Sequence, residues 1–466
     1  MKPSVLFNNF SSDSEVGGPH YARQIRDLLS LDVPVQVRGD ELLNSCFPVS
    51  SLAVSSMGAV ASAIAGFSAE FGRRKDADVH VDQRLAALWF QQSIRPVDWE
   101  MPPVWDSVAG DYKTADGWIK LHTNLDHHRH AALRVLEVEG VRENVAAAIL
   151  NWKANDLETE IAGEGGVAAA MRSRREWQNH PQGLAVASEP LVAWDEPRSV
   201  HFGFSPASQN RPLKGLRVLD LTRVLAGPVA TRALAGFGAD VLRIDPPEWS
   251  EPYVVPDVTL GKRCACLQLT KAEDRETFDA LLNKAHILVH GYRPGALDKL
   301  GYGLSARQEI SPGLIEISLD AYGWSGPWSG RRGFDSLVQM SSGIAHEGMK
   351  WAKASKPTPL PVQALDHATG YLMAAAAVRL VQTAVRGEGV GSARLSLART
   401  AELLMTRRQL ESSQGDFTPA EHDFSTHLEL TPWGRANRLN PAFRVEGIDI
   451  EWSLPASNLG SSPARW

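Results

Sequence analysis

From Gly215 onward, short apolar runs recur at the spacing of buried strands, each followed by a stretch of helical period. Val218-Leu219-Asp220-Leu221, Val241-Leu242-Arg243-Ile244, Cys264–Leu269, Ile287-Leu288-Val289 and Ile315-Glu316-Ile317-Ser318 are the strand candidates, with Val229–Ala235 as the first helix. This alternation predicts an α/β fold: a Rossmann-like open parallel sheet covered on both faces. Thr270-Lys271-Ala272-Glu273 predicts a capping box with Thr270 as N-cap. Upstream the pattern differs. Helices are expected near Tyr21–Leu31, over the small-residue run Gly58–Phe67 and at Gln83–Phe90, with a strand at Val79-His80-Val81. After a Pro/Trp-rich linker at Pro96–Val108, a turn flanked by strands (Asp111–Leu121) and amphipathic helices at Arg129–Leu136, Val141–Asn151 and Leu157–Ile161 predict a smaller α+β domain. Residues 406–466 read as an extended wrapping tail.

The 466 residues, 43% hydrophobic and 22% charged, exceed one domain's usual length and can bury a large core. Net charge is −6 and no basic run exceeds Arg73-Arg74-Lys75, which argues against nucleic acid or an anionic membrane surface as partner. Cys46, Cys264 and Cys266 are too few and scattered for a disulfide framework, and the two on one strand read as buried core thiols. No cleavable leader and no apolar run of membrane length is evident, so the expected location is cytoplasmic. His127 and His130 could share a helical face as metal ligands, but no second Cys/His group recurs at ligand spacing, so no metal site is expected. There is no G-x-G-x-x-G and no Walker A motif.

Four loops follow predicted strands on one sheet edge, where open parallel sheets bind ligands. They are Thr222–Pro228, His290–Gly301, the pair Tyr322–Trp328 with Arg331–Asp335, and the segment ending at Asp366. Gly227 and Pro228 suit a helix start that offers amides to phosphate. Asp366, ahead of a long Ala-rich run, reads either as an ordinary N-cap or as a nucleophile at the helix's positive end. Asp335 is expected to cap a helix beginning at Ser336.

These stretches, in this order, resemble the class III CoA-transferases, the family of formyl-CoA and carnitine CoA-transferases. The resemblance is carried by Leu219–Pro228, Gly238–Pro246, Gly261-Lys262-Arg263, Tyr292-Arg293-Pro294-Gly295, Gly323–Pro327 and Gly333-Phe334-Asp335, and runs over residues 213–405. It implies that Asp366 attacks an acyl-CoA thioester, and that Arg223, Val224, Leu225, Tyr292, Lys299 and Arg332 contact CoA. It implies acyl-CoA and a small carboxylate as partners, and no cofactor beyond CoA as co-substrate. Amides at the start of the Asp366 helix are expected to stabilise the oxyanion. Two departures stand out: Gly291 replaces a frequent Asn, and the family's glycine-rich loop has no counterpart. The alternatives are an acyl-CoA racemase, whose Gly-x-Asp histidine is Phe334 here, and a non-catalytic CoA-binding subunit.

The N-terminal part resembles the same family out of order. Residues 101–200 are similar to its small domain, which here precedes the complete lobe (213–405). Residues 1–100 resemble a degenerate half-lobe: Pro48-Val49 aligns with Pro361-Val362, placing Leu52 on Leu365, Ala53 on Asp366, Arg73 on Arg386 and, after a one-residue slip, Val81 on Leu395. The implied assembly is a homodimer or a pseudo-dimer within one chain.

Overall fold

A computed structural model of the chain describes residues 18–40, 42–70, 77–409 and 417–466. Strands β1 (Ala193–Trp194), β2 (Arg217–Leu221), β3 (Asp240–Asp245), β4 (Lys262–Cys266), β5 (Ile287–His290), β6 (Ile315–Asp320) and β7 (Ser392–Ser396) form one sheet in the order β4-β3-β2-β5-β6-β7-β1. All neighbours are parallel except β1, which is antiparallel to β7. Alternate residues divide the strands between two cores, as period-two geometry requires. Val218, Val241, Ile287 and Ile315 face one core, while Leu219, Leu242 and Leu288 face another with Phe278 and Leu281 of helix Ala272–Lys284. Strand order reverses between β2 and β5, so the crevice of an open sheet lies beyond their carboxyl ends.

The first core takes in α1 (Val49–Ala69), α2 (Ala226–Gly236) and α4 (Ala364–Val385), Val338 of α3 (Asp335–Ser341), and the helices Gly18–Leu29, Gln83–Trp89 and Leu397–Leu404. The sequence reading found no apolar run of membrane length. Folding extends the small-residue stretches into 21- and 22-residue helices, α1 and α4, long and apolar enough to cross a bilayer by length and composition. Both are instead buried within the protein, 89% and 83% over their most apolar windows. Just beyond their C-terminal ends, Arg386 Nε donates to Glu70 at 3.0 Å.

Each of these long helices leads into a strand and a second helix: Val79–Asp82 and Gln83–Trp89 after α1, β7 and Leu397–Leu404 after α4. Asp82 and Ser396 cap the second helices alike, accepting from the amides of Leu85 (2.9 Å) and Arg399 (3.2 Å). The residue aligned with Arg386, Arg73, lies outside the described residues.

The two ends of the chain are woven together. Val79–Asp82 pairs in parallel with Gln36–Arg38 and antiparallel with Phe443–Val445, while Ile94–Pro96 pairs with Gly434–Leu439. Gly434–Leu439 is one arm of a hairpin with Phe424–Thr431, so the last segment is not extended throughout, as the sequence had suggested. Beyond it Trp452 stacks on Trp89 at 5.5 Å. Buried Asp257 ties three segments together, accepting from Ser93 of the N-terminal part, Arg232 of α2 (3.0 Å) and Arg438 of the hairpin (3.2 Å).

Residues 110–170 form a three-stranded antiparallel sheet, Gly110–Lys113, Trp118–Leu121 and Ala168–Ala170, with helices Asp126–Leu136, Arg142–Ile149 and Ala154–Gly163 around a core of their own. One local expectation fails: Thr270 and Glu273 make no capping box. The helix starts at Ala272 after an uncapped Lys271, and Asp274 reaches back to the Gln268 amide at 2.8 Å. Of the paired thiols, Cys264 is buried and Cys266 only half-buried.

Candidate active site

The turn after β2 is fixed from below. Buried Asp220 accepts from the Thr222 amide (2.9 Å), the Thr231 hydroxyl (2.5 Å) and Lys262 Nζ (3.1 Å). Val224 then takes φ +64°, a conformation that costs a β-branched residue energy unless its surroundings enforce it. Glu251 supplies that enforcement, accepting the Val224 amide at 2.8 Å while Arg243 holds its other oxygen. Glu251 is a site residue the sequence reading missed, because a lone Glu in a loop carries no periodicity. Leu225, buried, takes the N-cap position of α2 without a side-chain cap.

Arg223 and Tyr292, expected at the CoA site, meet across the switch point: Arg223 Nη2 donates to Tyr292 Oη at 3.0 Å. The same guanidinium lies 4.3 Å from the Trp249 ring, a second aromatic not anticipated. Arg332 is half-buried and reaches the small domain, donating to Gly165 O at 3.3 Å. Burial and the nearby Arg293 lower its pKa from the usual arginine value. Lys299 ends the short helix Ala296–Lys299 and is exposed, with no side-chain contact to the others. At Gly291, an added Cβ would meet nothing closer than Leu319 O at 4.0 Å, so packing alone does not demand the glycine.

Asp366 is not an N-cap. It is the third residue of α4, whose N-cap position is Gln363 without a side-chain bond. The capping group comes from another helix: Asp335 Oδ2 accepts from the amides of Leu365 (2.8 Å) and Asp366 (3.0 Å). Asp335 therefore caps α4 and not its own helix, as had been expected, and the amides assigned to an oxyanion hole are already engaged. Gln339 Nε2 donates to Asp335 Oδ1 at 2.5 Å, and Gln339 Oε1 accepts the Leu360 amide at 2.7 Å, so α3 clamps both sides of the turn entering α4. One turn after Asp366, Gly370 lets α4 approach α2: a Cβ there would lie 2.3 Å from Ala226 O. α4 therefore packs against the start of α2, which follows the turn of Val224 and Leu225.

Burial, opposed by these hydrogen bonds, raises the Asp335 pKa to about 6. Burial first, and the Asp335 charge second, push Asp366 well above the ordinary carboxylate range. The small domain closes over the same place. Phe334 stacks on His122 at 4.0 Å and meets His128 edge-on at 5.9 Å. Burial holds both imidazoles at about 3, hence neutral. Among the described residues no three His, Cys, Asp or Glu side chains gather as a metal site.

The described geometry therefore sets a strained turn and an Arg–Tyr pair at the sheet's switch point, and packs against the helix after that turn a second helix that carries one carboxylate of raised proton affinity. Residues 213–434 match the family model described as CoA-transferase family III. Over these residues the lobe is similar to CoA-transferase family III. The match starts at the expected boundary and continues past residue 405 into the hairpin, covering just under half of the chain. Among curated relatives, the acetyl-coenzyme A transferase nodX of Hypoxylon pulicicidum is 34% identical over 43% of this chain and 34% of its own length. An acyl-CoA transferase of Gibberella moniliformis is 29% identical over 56% of this chain and 50% of its own. The human succinyl-CoA:glutarate CoA-transferase is 31% identical over 39% and 44%. The chain thus spans half or less of each of these proteins. The solved structure of Rv3272 from M. tuberculosis has 29% identity and a TM-score of 0.38 over 43% of this chain and 58% of that one, too loose a likeness for residue-level comparison.

Proposed function

We propose that this chain is an acyl-CoA:carboxylate CoA-transferase with Asp366 as nucleophile. The carrying observation is one buried carboxylate on a helix start held by a second acid, in a helix that packs at Gly370 against Ala226, just after the Val224 turn. The ionised Asp366 oxygen attacks the thioester carbonyl; its C–O bond forms as the C–S bond breaks, giving a mixed anhydride and CoA thiolate. The thiolate attacks the aspartyl carbonyl, releasing the first carboxylate and leaving an aspartyl-CoA thioester. An incoming carboxylate attacks that thioester, and the expelled thiolate then takes the new acyl group from the second anhydride, regenerating Asp366. Binding CoA through Arg223, Val224, Leu225, Tyr292, Lys299 and Arg332 would keep the thiolate at high effective concentration between steps.

In the same reading, residues 1–100 are a degenerate half-lobe whose α1, Val79–Asp82 and Gln83–Trp89 copy the α4–β7–Leu397–Leu404 unit and lost its acid at Ala53. The matching helix–strand–helix order and the equivalent caps Asp82 and Ser396 support it. The pair would make a pseudo-dimer within one chain. An acyl-CoA racemase is the weaker reading: His122 and His128 flank Phe334, but imidazoles at about 3 are poor bases.

The test is incubation with a panel of acyl-CoAs and hydroxylamine, followed by peptide mass spectrometry. A hydroxamate is expected at Asp366, and none in Asp366→Asn, which should still bind CoA. Turnover retained in Asp366→Asn would overturn the mechanism.

A further inference from the structure

Asp335 stands in an unusual relation to Asp366. The first turn of a helix offers free amides and a partial positive charge, which normally favour an acid placed there. In α4 that benefit goes elsewhere. Two of the amides bond to Asp335, which also accepts from Gln339, while among the described residues no donor reaches the Asp366 carboxylate. We propose that Asp335 is a positioning residue for Asp366: its carboxylate fixes the Leu365 and Asp366 backbone and denies the positive end of α4 to the Asp366 side chain. The inference rests on the reading of Asp366 as nucleophile, but its first consequence is measurable without turnover.

That consequence is a division of labour between two acids. Three hydrogen bonds stabilise the ionised form of Asp335, and none stabilises that of Asp366. When the pair holds a single proton, Asp366 carries it. The upward displacement of Asp366, from burial and then from Asp335, agrees with this assignment. Other charged groups packed around α4 have partners of their own. Arg232 is bound to Asp257, Glu402 to Arg174, and Asp320 accepts from the amides of Tyr322 and Gly323. Tyr253, whose own pKa is raised to about 12 chiefly by burial, stays neutral. A basic carboxylate, once ionised, is the better nucleophile. With the helix amides engaged, stabilisation of the thioester oxyanion falls to other donors.

The experiment is a carbon-13 NMR titration of protein labelled at the aspartate side-chain carboxyl, with Asp366 assigned by the signal lost in Asp366→Asn. In the wild type, Asp366 should titrate above Asp335 and above the ordinary aspartate range. In Asp335→Asn its midpoint should fall by about one pH unit or more, since the like charge is removed while a neutral oxygen can still cap the amides. Asp335→Ser, a neutral cap, should give the same fall. A wild-type Asp366 midpoint in the ordinary range overturns the proposal whether or not the variants fold, as does an unshifted midpoint in either folded variant. A purely structural role would lower stability and leave the midpoint alone. Hydroxylamine trapping over the same pH series separates the two readings. No wild-type hydroxamate at Asp366 at any pH would refute the nucleophile, while the NMR midpoints would still decide the role of Asp335.

Discussion

The side chain of Asp335 lies 3.0 Å from the backbone amide of Asp366, so the acid that caps the helix and the acid the helix carries share one buried place, where ionising both sets like charges against each other. The arrangement is costly for stability and suited to a carboxylate that must attack. Its cost should be visible in the pH dependence of folding.

Asp366 binds its proton more tightly in the folded than in the unfolded protein. Its stabilising contribution is therefore complete below the unfolded-state pKa and lost as pH rises through the folded one. Asp366→Asn removes this penalty. Its thermal midpoint should match the wild type in acid and exceed it by a few degrees in neutral to alkaline buffer. Scanning fluorimetry across pH 4–9 checks this; an equal gap at every pH would contradict the assignment.

CoA affinity should fall more in Arg332→Ala than in Lys299→Ala. Arg332 is half-buried between the lobe and Gly165 of the small domain, whereas Lys299 is exposed and screened. A lost charge-assisted hydrogen bond is worth about 1.5–3 kcal/mol, or roughly ten- to hundred-fold in affinity. Calorimetric titration with CoA and dephospho-CoA measures it, and the reverse order would move the phosphates to the Lys299 side.

Gly370→Ala puts a methyl 2.3 Å from Ala226 O and 2.9 Å from the Val229 side chain. Backbone must shift to admit it, at a cost of about 1–3 kcal/mol. Because α2 and α4 carry the Val224 turn and Asp366, turnover should drop alongside stability. Denaturant unfolding and steady-state kinetics read the two effects, and unchanged turnover would uncouple this contact from the site.

Ala53→Asp restores an acid at the position aligned with Asp366, on a wholly buried stretch of α1. An acid in those apolar surroundings should cost about 3 kcal/mol or more and should gain no second acylation site. Unfolding curves and adduct mapping test both halves of this. A hydroxamate at the new Asp would show that the N-terminal unit keeps a working site.

Deleting residues 1–100 removes α1, Phe90 stacked 5.0 Å from His367, and the strand partners of Gly434–Leu439 and Phe443–Val445. The shortened chain should aggregate, because the apolar face of α4 is then exposed. Size-exclusion chromatography gives the answer; a monodisperse active fragment would make the N-terminal part an appendage.

Five of the seven strands of the large sheet were legible because a parallel sheet buried on both faces needs short continuous apolar runs, and Val218–Leu221 or Ile287–Val289 can serve little else, whereas the two-residue β1 and the polar β7, Ser392–Ser396, carry no such run. That the loops of Arg223, Val224 and Tyr292 leave those strands at one edge was legible from the strand pattern, whereas their part in binding CoA was implied only by the family resemblance. The wrong local readings were competitions between near-equal hydrogen bonds. Thr270–Glu273 fits the capping box on paper, but Asp274 captured the Gln268 amide and the helix began one residue later. Sequence determined that an acid stands at the head of an Ala-rich helix. Only the tertiary structure decided which acid caps it and which is left without a donor. Asp335 and Asp366 are 31 residues apart, and no local pattern encodes a bond between a side chain on one helix and an amide on another. The same holds for Glu251 beneath Val224: the strain at that turn and the carboxylate that stabilises it exist only after the chain has folded them together.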